Sequence, residues 1–481
     1  MNLSVITRVI GISLLINAAF MFLSVVVSIV NGFDAAFSPL LLSAFITLFA
    51  GLFPLIFVQK FASITLKEGI TIVVFAWILS CLFGMLPFVL WGGEFSLINA
   101  WFESVSGYTT TGATILTDIQ TLPKSLLFWR SSTHFIGGVG VVVFMLIILP
   151  SASTFRTKVS KVEISALSKQ NYKLKTQQTI GVIVTTYLGL CVASTICYVF
   201  AGMSWFDAIN HAFSIVSTGG FSTLNNSIMG FNSPAVEIVT IVFMFLAGLH
   251  FGLLYSFFVQ RSTRIFQSPI IKFYTLSVLV SIVIITIELL VNGTHKDFFL
   301  ALRQSAFHVV SYASTTGFAA GDTSVWPNLS ILILMYLSMQ CACSGSTTGG
   351  IKADRIVIFL KSFLNRIKKE LHPNAVIPLR VGQNVVNNEL ISSVNIYIVL
   401  YISILFIGAA LLSVMGVDFM DAISASIANL GNVGPGFGNV GSLGNYSHFP
   451  IMAKMVLTLE MLLGRVEIYA LVLIFIIWKK Q

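Results

Sequence analysis

Four short segments of the chain place glycine beside hydroxyl or amide side chains, at comparable positions between long apolar stretches. They read TTTGAT at 109–114, STGGFST at 217–223, STTGFAAG at 314–321 and NVGPGFG at 432–438. Selection of an ion requires rings of oxygen atoms that replace the ion's hydration shell, and backbone carbonyls supply such rings. Glycine permits the torsion angles that turn successive carbonyls toward one axis. A single segment of this kind is typical of a polar turn, but four copies favour coordination of a cation.

In each segment two residues precede the glycine. With the glycine, they are Thr110, Thr111 and Gly112; Ser217, Thr218 and Gly219; Thr315, Thr316 and Gly317; and Asn432, Val433 and Gly434. The four glycines are separated by 107, 98 and 117 residues, which indicates a repeated unit. The fourth segment departs from the Thr-Gly form, so any fourfold symmetry is expected to be approximate.

Each glycine segment follows a moderately apolar piece of helical length that is too short to cross a bilayer. These pieces read INAWFESVSGY, WFDAINHAFSIV, FFLALRQSAFHVVSY and FMDAISASIANL. Non-helical backbone is tolerated at membrane depth only where it is buried in protein or lines a water-filled path. A short helix also directs its C-terminal partial negative charge toward a nearby cation. Four short helices with glycine loops, arranged around one axis, therefore predict a cation pore.

The elements that must position these segments are long apolar helices. Of 481 residues, 56% are hydrophobic and only 9% are charged, which is typical of a chain whose solvent is a bilayer. Ten stretches are long enough to cross about 30 Å of hydrocarbon. They are 5–30, 35–58, 69–91, 127–149, 178–202, 235–259, 270–292, 328–350, 393–415 and 451–477. The first could instead be a signal peptide, but its length and the absence of a small-residue cleavage site favour a retained helix.

The distribution of charge predicts the orientation of the chain. Ten spans place both termini on one side, where 21 of the 27 Lys and Arg residues also fall. The positive-inside rule makes that side cytoplasmic. Because this topology explains the net charge of +9, no nucleic-acid partner is expected. Nine of the 18 acidic residues lie on the opposite side, where they would concentrate cations.

A second cluster of small residues, CACSGSTTGGIKADR at 341–355, falls at the end of the eighth apolar stretch. A phosphate-binding loop is not favoured, because Ile351 separates Gly350 from Lys352 and Ala353 follows where Ser or Thr is required. The run of seven small residues from Ser344 to Gly350 indicates a mobile loop that breaks the helix at mid-depth. A simple helix kink is the alternative.

Arg465 lies about midway along the last apolar stretch. A lone arginine at that depth costs about 2.5–3.5 kcal/mol on insertion scales, so it should face a cavity or a partner. Glu467 projects from a different helix face, and Glu460 is not at a helical neighbour spacing. Arg465 is therefore expected to contact loop carbonyls or pore water on the cation path. Stabilisation of the helix bundle is the alternative.

Together these motifs resemble the Trk/Ktr/HKT superfamily of potassium-translocating subunits. The resemblance rests on SGYTTTGAT, STGGFST, STTGF, CSGSTTGGIK, NVGPGFG and MLLGRVEIY in this order, and it covers essentially the whole chain. Two spans before the first glycine segment are similar to the Trk branch. The resemblance implies an all-α membrane protein with ten transmembrane helices. Two N-terminal helices would precede four repeats around one central pore, each with a first helix (M1), a pore helix and a second helix (M2).

The resemblance also implies boundaries and site residues. Residues 1–62 would hold the two additional helices, and 63–177, 178–265, 266–380 and 381–481 would be pore repeats 1 to 4. The resemblance carries the filter glycines over onto Gly112, Gly219, Gly317 and Gly434, with the two residues before each as further oxygen donors. Glycine rather than serine at 112 favours potassium over sodium. The segment 341–352 would gate the pore beneath the filter, with Arg465 as a positive barrier. The gate residues in that segment are Gly345, Thr347, Thr348, Gly349, Gly350 and Lys352.

The implied function is potassium uptake across the bacterial cytoplasmic (inner) membrane, with K⁺ as the transported ion and no organic cofactor. The resemblance further implies a homodimer in membrane lipid and a cytosolic nucleotide-binding regulatory subunit that forms an RCK-type ring. The basic loops 156–175 and 352–380 are candidate docking sites for this ring. Symport of potassium with sodium or protons, by an ion-coupled secondary transporter, is the alternative. An enzyme is not expected, because the sequence shows no paired carboxylates, His-rich metal motif or nucleophile elbow.

Overall fold

The computed structural model describes residues 3–58, 65–148, 176–375, 377–466, 468–469 and 471, and these are predominantly helical. The basic loop 156–175, Glu467 and the end of the last predicted span lie outside the described residues. Within the described residues, the only strands are Arg380–Val381 and Asn384–Val385, which pair antiparallel.

The helices in chain order are α1 (Leu3–Val30), α2 (Phe37–Phe57), α3 (Leu66–Gly84), α4 (Leu86–Trp91), α5 (Leu97–Tyr108), α6 (Lys124–Ile148), α7 (Thr176–Phe200), α8 (Trp205–Val216), α9 (Pro234–Ala247), α10 (Phe251–Phe258), α11 (Pro269–Val291), α12 (Phe298–Ala313), α13 (Asn328–Gln340), α14 (Ala353–Leu371), α15 (Asn388–Val414), α16 (Phe419–Leu430) and α17 (Ile451–Arg465). Short 3₁₀ turns occupy Ser227–Phe231, Thr263–Gln267 and Gly438–Val440.

Among the residues that the structure describes, six elements are long and apolar enough to cross a bilayer, by length and composition. They are α1, α2, the consecutive α3 and α4, α7, α11 and α15. All six coincide with predicted spans, and they make this a multi-pass membrane protein. In the other predicted spans, α13 ends at Gln340 and the described part of α17 ends at Arg465. The total of ten spans stays a prediction.

The outward faces of the long helices carry large apolar side chains. Phe49 and Phe53 on α2 are 66% and 64% exposed, Leu276 on α11 is 61% exposed and Val399 on α15 is 62% exposed. A helix that is apolar on all sides is stable only inside a large core or in a membrane. Because these faces contact no other part of the described chain, hydrocarbon is the solvent that suits them.

The predicted span 235–259 is not one straight helix. Its two halves, α9 and α10, are bent by 109° at a break between Ala247 and Phe251. Backbone groups at this break bind the segment 341–352: Cys343 N donates to Gly248 O at 3.1 Å, and Phe251 N donates to Gly345 O at 3.0 Å. The two interruptions thus satisfy each other's hydrogen bonds, which is the condition for non-helical backbone at membrane depth.

Four short helices precede the glycine segments, as the sequence predicts. Helices α5, α8 and α16 have 12 residues each, and α12 has 16. Each begins with a side chain that accepts a hydrogen bond from a backbone N–H of the first turn. These N-cap residues are Ser96, Ser204, Asp297 and Asp418. A capped start and a glycine-containing end fix the length of each helix.

Candidate ion pathway

The backbone follows the same course after each short helix. One residue beyond the helix cap, φ is positive at Thr110 (51°), Thr218 (56°), Thr315 (56°) and Asn432 (54°). Two residues later, φ is positive again at Gly112 (81°), Gly220 (81°), Gly317 (72°) and Gly434 (94°). We call residues 110–112, 218–220, 315–317 and 432–434 loops 1 to 4. Two left-handed residues in three is a conformation that needs glycine at one of them.

The register predicted for the second segment is therefore shifted by one residue. Ser217 caps the end of α8, and Thr218 takes the first left-handed position. Gly220, rather than Gly219, is equivalent to Gly112. Gly219 takes the place of Thr111, and it has no room for a side chain because a Cβ atom there would lie 2.4 Å from the His134 ring.

Each loop is fixed to its own short helix by an equivalent backbone hydrogen bond. The bonds run from Thr111 N to Ser106 O at 2.9 Å, from Gly219 N to Ser214 O at 2.8 Å, from Thr316 N to Ser311 O at 2.9 Å and from Val433 N to Ala428 O at 2.8 Å. They satisfy carbonyls that a helix end leaves without intrahelical partners.

The four loops contact one another in cyclic order. A Cβ atom on Gly112 would lie 2.0 Å from Gly219 O, one on Gly220 2.0 Å from Thr316 O, one on Gly317 2.0 Å from Val433 O, and one on Gly434 2.4 Å from Thr111 O. Real Cβ atoms do not approach oxygen this closely. Each left-handed glycine thus gives room to a carbonyl of the next loop, and the fourth loop closes the cycle on the first.

Side-chain hydrogen bonds stiffen the loops. The hydroxyl groups of Thr109 and Thr111 lie 2.8 Å apart, and Thr218 Oγ1 donates to Ser217 O at 2.7 Å. Asn432 Nδ2 donates to Thr111 Oγ1 at 3.0 Å and to Met461 O at 2.9 Å. Among the described residues, the buried hydroxyl of Thr110 has no hydrogen-bond partner.

The segment 341–352 lies against the C-terminal ends of three short helices. Thr347 Oγ1 donates to Val216 O at 3.0 Å, at the end of α8. Gly349 N donates to Thr315 Oγ1 of loop 3 at 3.4 Å, and a Cβ atom on Gly349 would lie 2.6 Å from Gly431 O, beyond α16. The segment is therefore packed directly against the loops.

The segment keeps its irregular course through glycine and tight contacts. Gly345, Gly350 and Lys352 have φ values of 83°, 64° and 77°. A Cβ atom on Gly350 would lie 2.1 Å from Cys341 Sγ. The hydroxyl groups of Ser346 and Thr348 lie 2.7 Å apart.

Arg465 is buried and contacts this segment. At the end of α17 it is 3% exposed, and its Nη1 donates to Thr347 O. Its Nη2 donates to Gly137 O of α6 at 3.3 Å. The side chain of Arg465 therefore connects α17, which passes beside loop 4, to the segment 341–352 and to α6, which passes beside loop 1.

Comparison with known proteins assigns the family. A family model described as TrkH, a cation transport protein, matches residues 40–481. The chain belongs to the TrkH family. Membership confirms the predicted resemblance, and it identifies a transporter rather than an enzyme.

Individual members of the TrkH family match most of the chain. The identity is 34% over 419 residues to the Trk system potassium uptake protein TrkH of Halomonas elongata, covering 86% of each chain. It is 31% over 412 residues to the protein of the same name from Escherichia coli K12, covering 85% of each. The crystal structure of the potassium transporter TrkH from Vibrio parahaemolyticus superposes with a TM-score of 0.90 at 29% identity, covering 98% of each chain.

Sequence reasoning missed several residues around loops 1 to 4. Gly137 and Gly464 let α6 and α17 pass the ends of α5 and α16, since Cβ atoms there would lie 2.0 Å from Tyr108 O and 2.1 Å from Leu430 O. The ion pair of Arg130 with buried Glu103 was also missed. Its signal was available, because Arg130 is a charged residue inside a predicted span, as Arg465 is.

Proposed function

We propose that the chain takes up potassium through a central pore whose selectivity filter is built from loops 1 to 4. The observation that carries the proposal is the closed cycle of loop contacts, in which an equivalent carbonyl of each loop lies against the left-handed glycine of a neighbouring loop. Carbonyl rings replace the hydration shell of potassium. The names of relatives from Halomonas elongata and Escherichia coli, both potassium uptake proteins, support potassium as the ion.

The filter would be formed by four repeats that share one plan. Each would pair a first helix (M1), a short pore helix and a second helix (M2) around the pore, with α1 and α2 outside this set. The proposed repeats occupy 63–177, 178–265, 266–380 and 381–481. The equivalent caps, left-handed positions and backbone bonds of the four loops support this division.

The gate in this proposal is the segment 341–352, held by Arg465. Its contacts with the ends of α8, α12 and α16 support a position where a hydrated cation would leave the filter. The guanidinium of Arg465 adds a fixed positive charge to the same region, which raises the energy of a passing cation in a low-dielectric surrounding. Displacement of the segment would then open the path.

The setting that we propose is the bacterial inner membrane, with both termini in the cytoplasm. A homodimer and a cytosolic nucleotide-binding regulatory subunit complete the proposed assembly. The basic residues of α14 and its neighbours, including Lys361, Arg366, Lys368 and Lys369, would lie on the cytoplasmic side and support this orientation.

Symport of potassium with protons or sodium is the second candidate. A buried carboxyl group in α17 favours it: Glu460 is 3% exposed and accepts a hydrogen bond from Ser426 Oγ at 2.6 Å. Its Oε2 has no hydrogen-bond partner among the described residues. A buried acid of this kind can carry a proton across a membrane.

Flux into liposomes tests both candidates. Purified protein is reconstituted, and potassium and sodium uptake are measured with the proton and sodium gradients separately abolished. Potassium uptake that persists without either gradient, and exceeds sodium uptake, supports the pore. Dependence on one gradient, abolished by Glu460→Gln, supports symport. Equal uptake of potassium and sodium would contradict the proposed filter.

A further inference from the structure

A buried ion pair lies behind loops 1 and 2. Arg130 Nε of α6 is 2.7 Å from Glu103 Oε1 of α5, and the two side chains are 2% and 0% exposed. A buried charge is costly unless it is paired and hydrogen-bonded, so this pair needs a reason beyond stability.

Each partner also holds the backbone that follows one loop. Glu103 accepts hydrogen bonds from Ile115 N at 3.1 Å and from Thr114 Oγ1 at 2.9 Å. Arg130 Nη1 donates to Ser222 O at 3.1 Å, and its guanidinium carbon lies 3.4 Å from the centre of the Phe221 ring. The pair thus connects the residues that follow loop 1 to the residues that follow loop 2.

In α8 and α12 a histidine stands at the position of Glu103 and contacts a residue that follows its own loop. The residue five positions before the end of the pore helix is Glu103 in α5, His211 in α8, His308 in α12 and Ala425 in α16. His211 Nε2 lies 3.0 Å from Ser222 Oγ, and His308 Nε2 lies 3.2 Å from Gly321 O. In the described chain, the first repeat is the only one in which this anchor is an ion pair.

Arg130 also lines the cavity beside the residues that follow the loops. Residues that line this cavity include Arg130, Gly112, Gly220, Gly317 and Gly434. A free guanidinium at this place would repel an approaching cation, and Glu103 supplies the compensating charge.

We propose that Glu103 and Arg130 form a positioning pair that fixes the spacing of loops 1 and 2 and thereby sets the cation selectivity of the pore. The inference rests on the proposed function. In it, the carboxylate also keeps the cavity free of an uncompensated positive charge. Both roles follow from one ion pair because its members bond to different loops.

Two conservative variants separate the roles. Glu103→Gln keeps the shape but leaves the guanidinium uncompensated, so potassium uptake should fall at least about tenfold, which corresponds to about 1.4 kcal/mol. Arg130→Lys keeps the charge but loses the planar contact with Phe221 and the reach to Ser222 O. Its ratio of potassium to sodium uptake should fall several-fold, with a smaller loss of potassium uptake.

The matched control is the ion pair of Glu237 with Arg303, at 2.9 Å between α9 and α12. Glu237→Gln and Arg303→Lys should leave the ratio unchanged. All uptake is measured in liposomes and expressed per folded protein from size-exclusion chromatography, after the wild-type protein has shown potassium uptake. Absence of wild-type uptake would contradict the proposed function instead.

Wild-type selectivity in folded Arg130→Lys, or equal effects in the control pair, would overturn the proposal. So would a loss confined to the amount of folded protein, since that is the signature of a purely structural pair. If Arg130→Lys does not fold, the double variant Glu103→Gln with Arg130→Gln decides. It removes both charges, so potassium uptake should exceed that of Glu103→Gln while the selectivity ratio stays low; a wild-type ratio would overturn the proposal.

Discussion

Gly112 meets two separate demands at a single residue. Its φ of 81° lies in the left-handed region, and the carbonyl of Gly219 occupies the space that a Cβ atom would need. The first demand costs an L-residue about 1–2 kcal/mol. The second cannot be met without moving the oxygen that would coordinate the ion. A substitution at Gly112 should therefore alter ion binding more than folding.

We expect Gly112→Ser to lower the ratio of potassium to sodium permeation several-fold, because the new side chain displaces one carbonyl of the ring. Reversal potentials in mixed salts measure this ratio. Gly32→Ser is the matched control, since Gly32 has a φ of 82° but nothing within 4 Å of its Cβ position. An unchanged ratio in folded Gly112→Ser protein would exclude Gly112 from the filter.

We expect Arg465→Ala to increase potassium flux. The change removes a fixed charge and the donor to Thr347 O together, and two unit charges 4 Å apart interact by about 4 kcal/mol at an effective dielectric constant of 20. A gain of at least about tenfold needs only about 1.4 kcal/mol of that energy. Flux is measured in liposomes after expression level and size-exclusion profile have been checked.

Two further variants of Arg465 separate the effect of its charge from the effect of its hydrogen bond to Thr347 O. Arg465→Lys keeps the charge and should stay near the wild-type flux, whereas Arg465→Gln keeps a donor without the charge and should resemble Arg465→Ala. Flux at or below the wild-type value in folded Arg465→Ala would defeat the barrier hypothesis.

Residue types alone predicted much of this site, but not which residues of the second loop are equivalent to those of the other loops. Thr-Thr-Gly patterns located loops 1 and 3, and an isolated arginine drew attention to Arg465. The second loop was misplaced by one residue because two adjacent glycines, Gly219 and Gly220, fit the pattern equally well by letter. Their roles separate only in three dimensions, where one faces the His134 ring and the other faces Thr316 O. Long-range contacts of this kind leave no local pattern.

At the scale of elements, the helices that follow loops 1 to 4 take two forms. Helices α6 and α17 pass the ends of α5 and α16 at Gly137 and Gly464, where a Cβ atom would meet backbone. After loops 2 and 3 the helix breaks, after Ala247 and after Gln340. The seven small residues from Ser344 predicted the second break. The first was not predicted, because Gly248 is a single glycine and the partner that satisfies its carbonyl lies about a hundred residues away.

We expect removal of residues 346–348 to raise basal potassium flux. The deletion eliminates Thr347, which binds both Val216 O and Arg465, and so it detaches the segment from the pore helices. Flux in liposomes is compared with a deletion of the same length at the exposed turn 372–374. Low flux in folded protein without residues 346–348 would assign the segment a structural role rather than a gating one.

At the scale of the whole molecule, the composition predicted a membrane protein, and the order of the motifs predicted the family. A content of 9% charged residues is typical of a chain whose solvent is a bilayer, and the described part of the chain contains six apolar elements of sufficient length. Short or bent spans are harder to count from composition, since α13 has 13 residues before its break. The orientation is predicted from the distribution of charge.

The positive-inside rule makes a definite prediction about the two faces. The turn after α11 should lie outside the cell and the turn after α14 inside, where Arg366, Lys368 and Lys369 cluster. Single cysteines at exposed Lys296 and Asn374, in protein whose five native cysteines are replaced by serine or alanine, report these sides through a membrane-impermeant thiol reagent. We expect Lys296→Cys to react in intact cells and Asn374→Cys to react only after the cells are opened. Because one predicted span, 328–350, separates the two turns, labelling of both from one side would disprove the proposed topology, and the opposite pattern would reverse the membrane orientation.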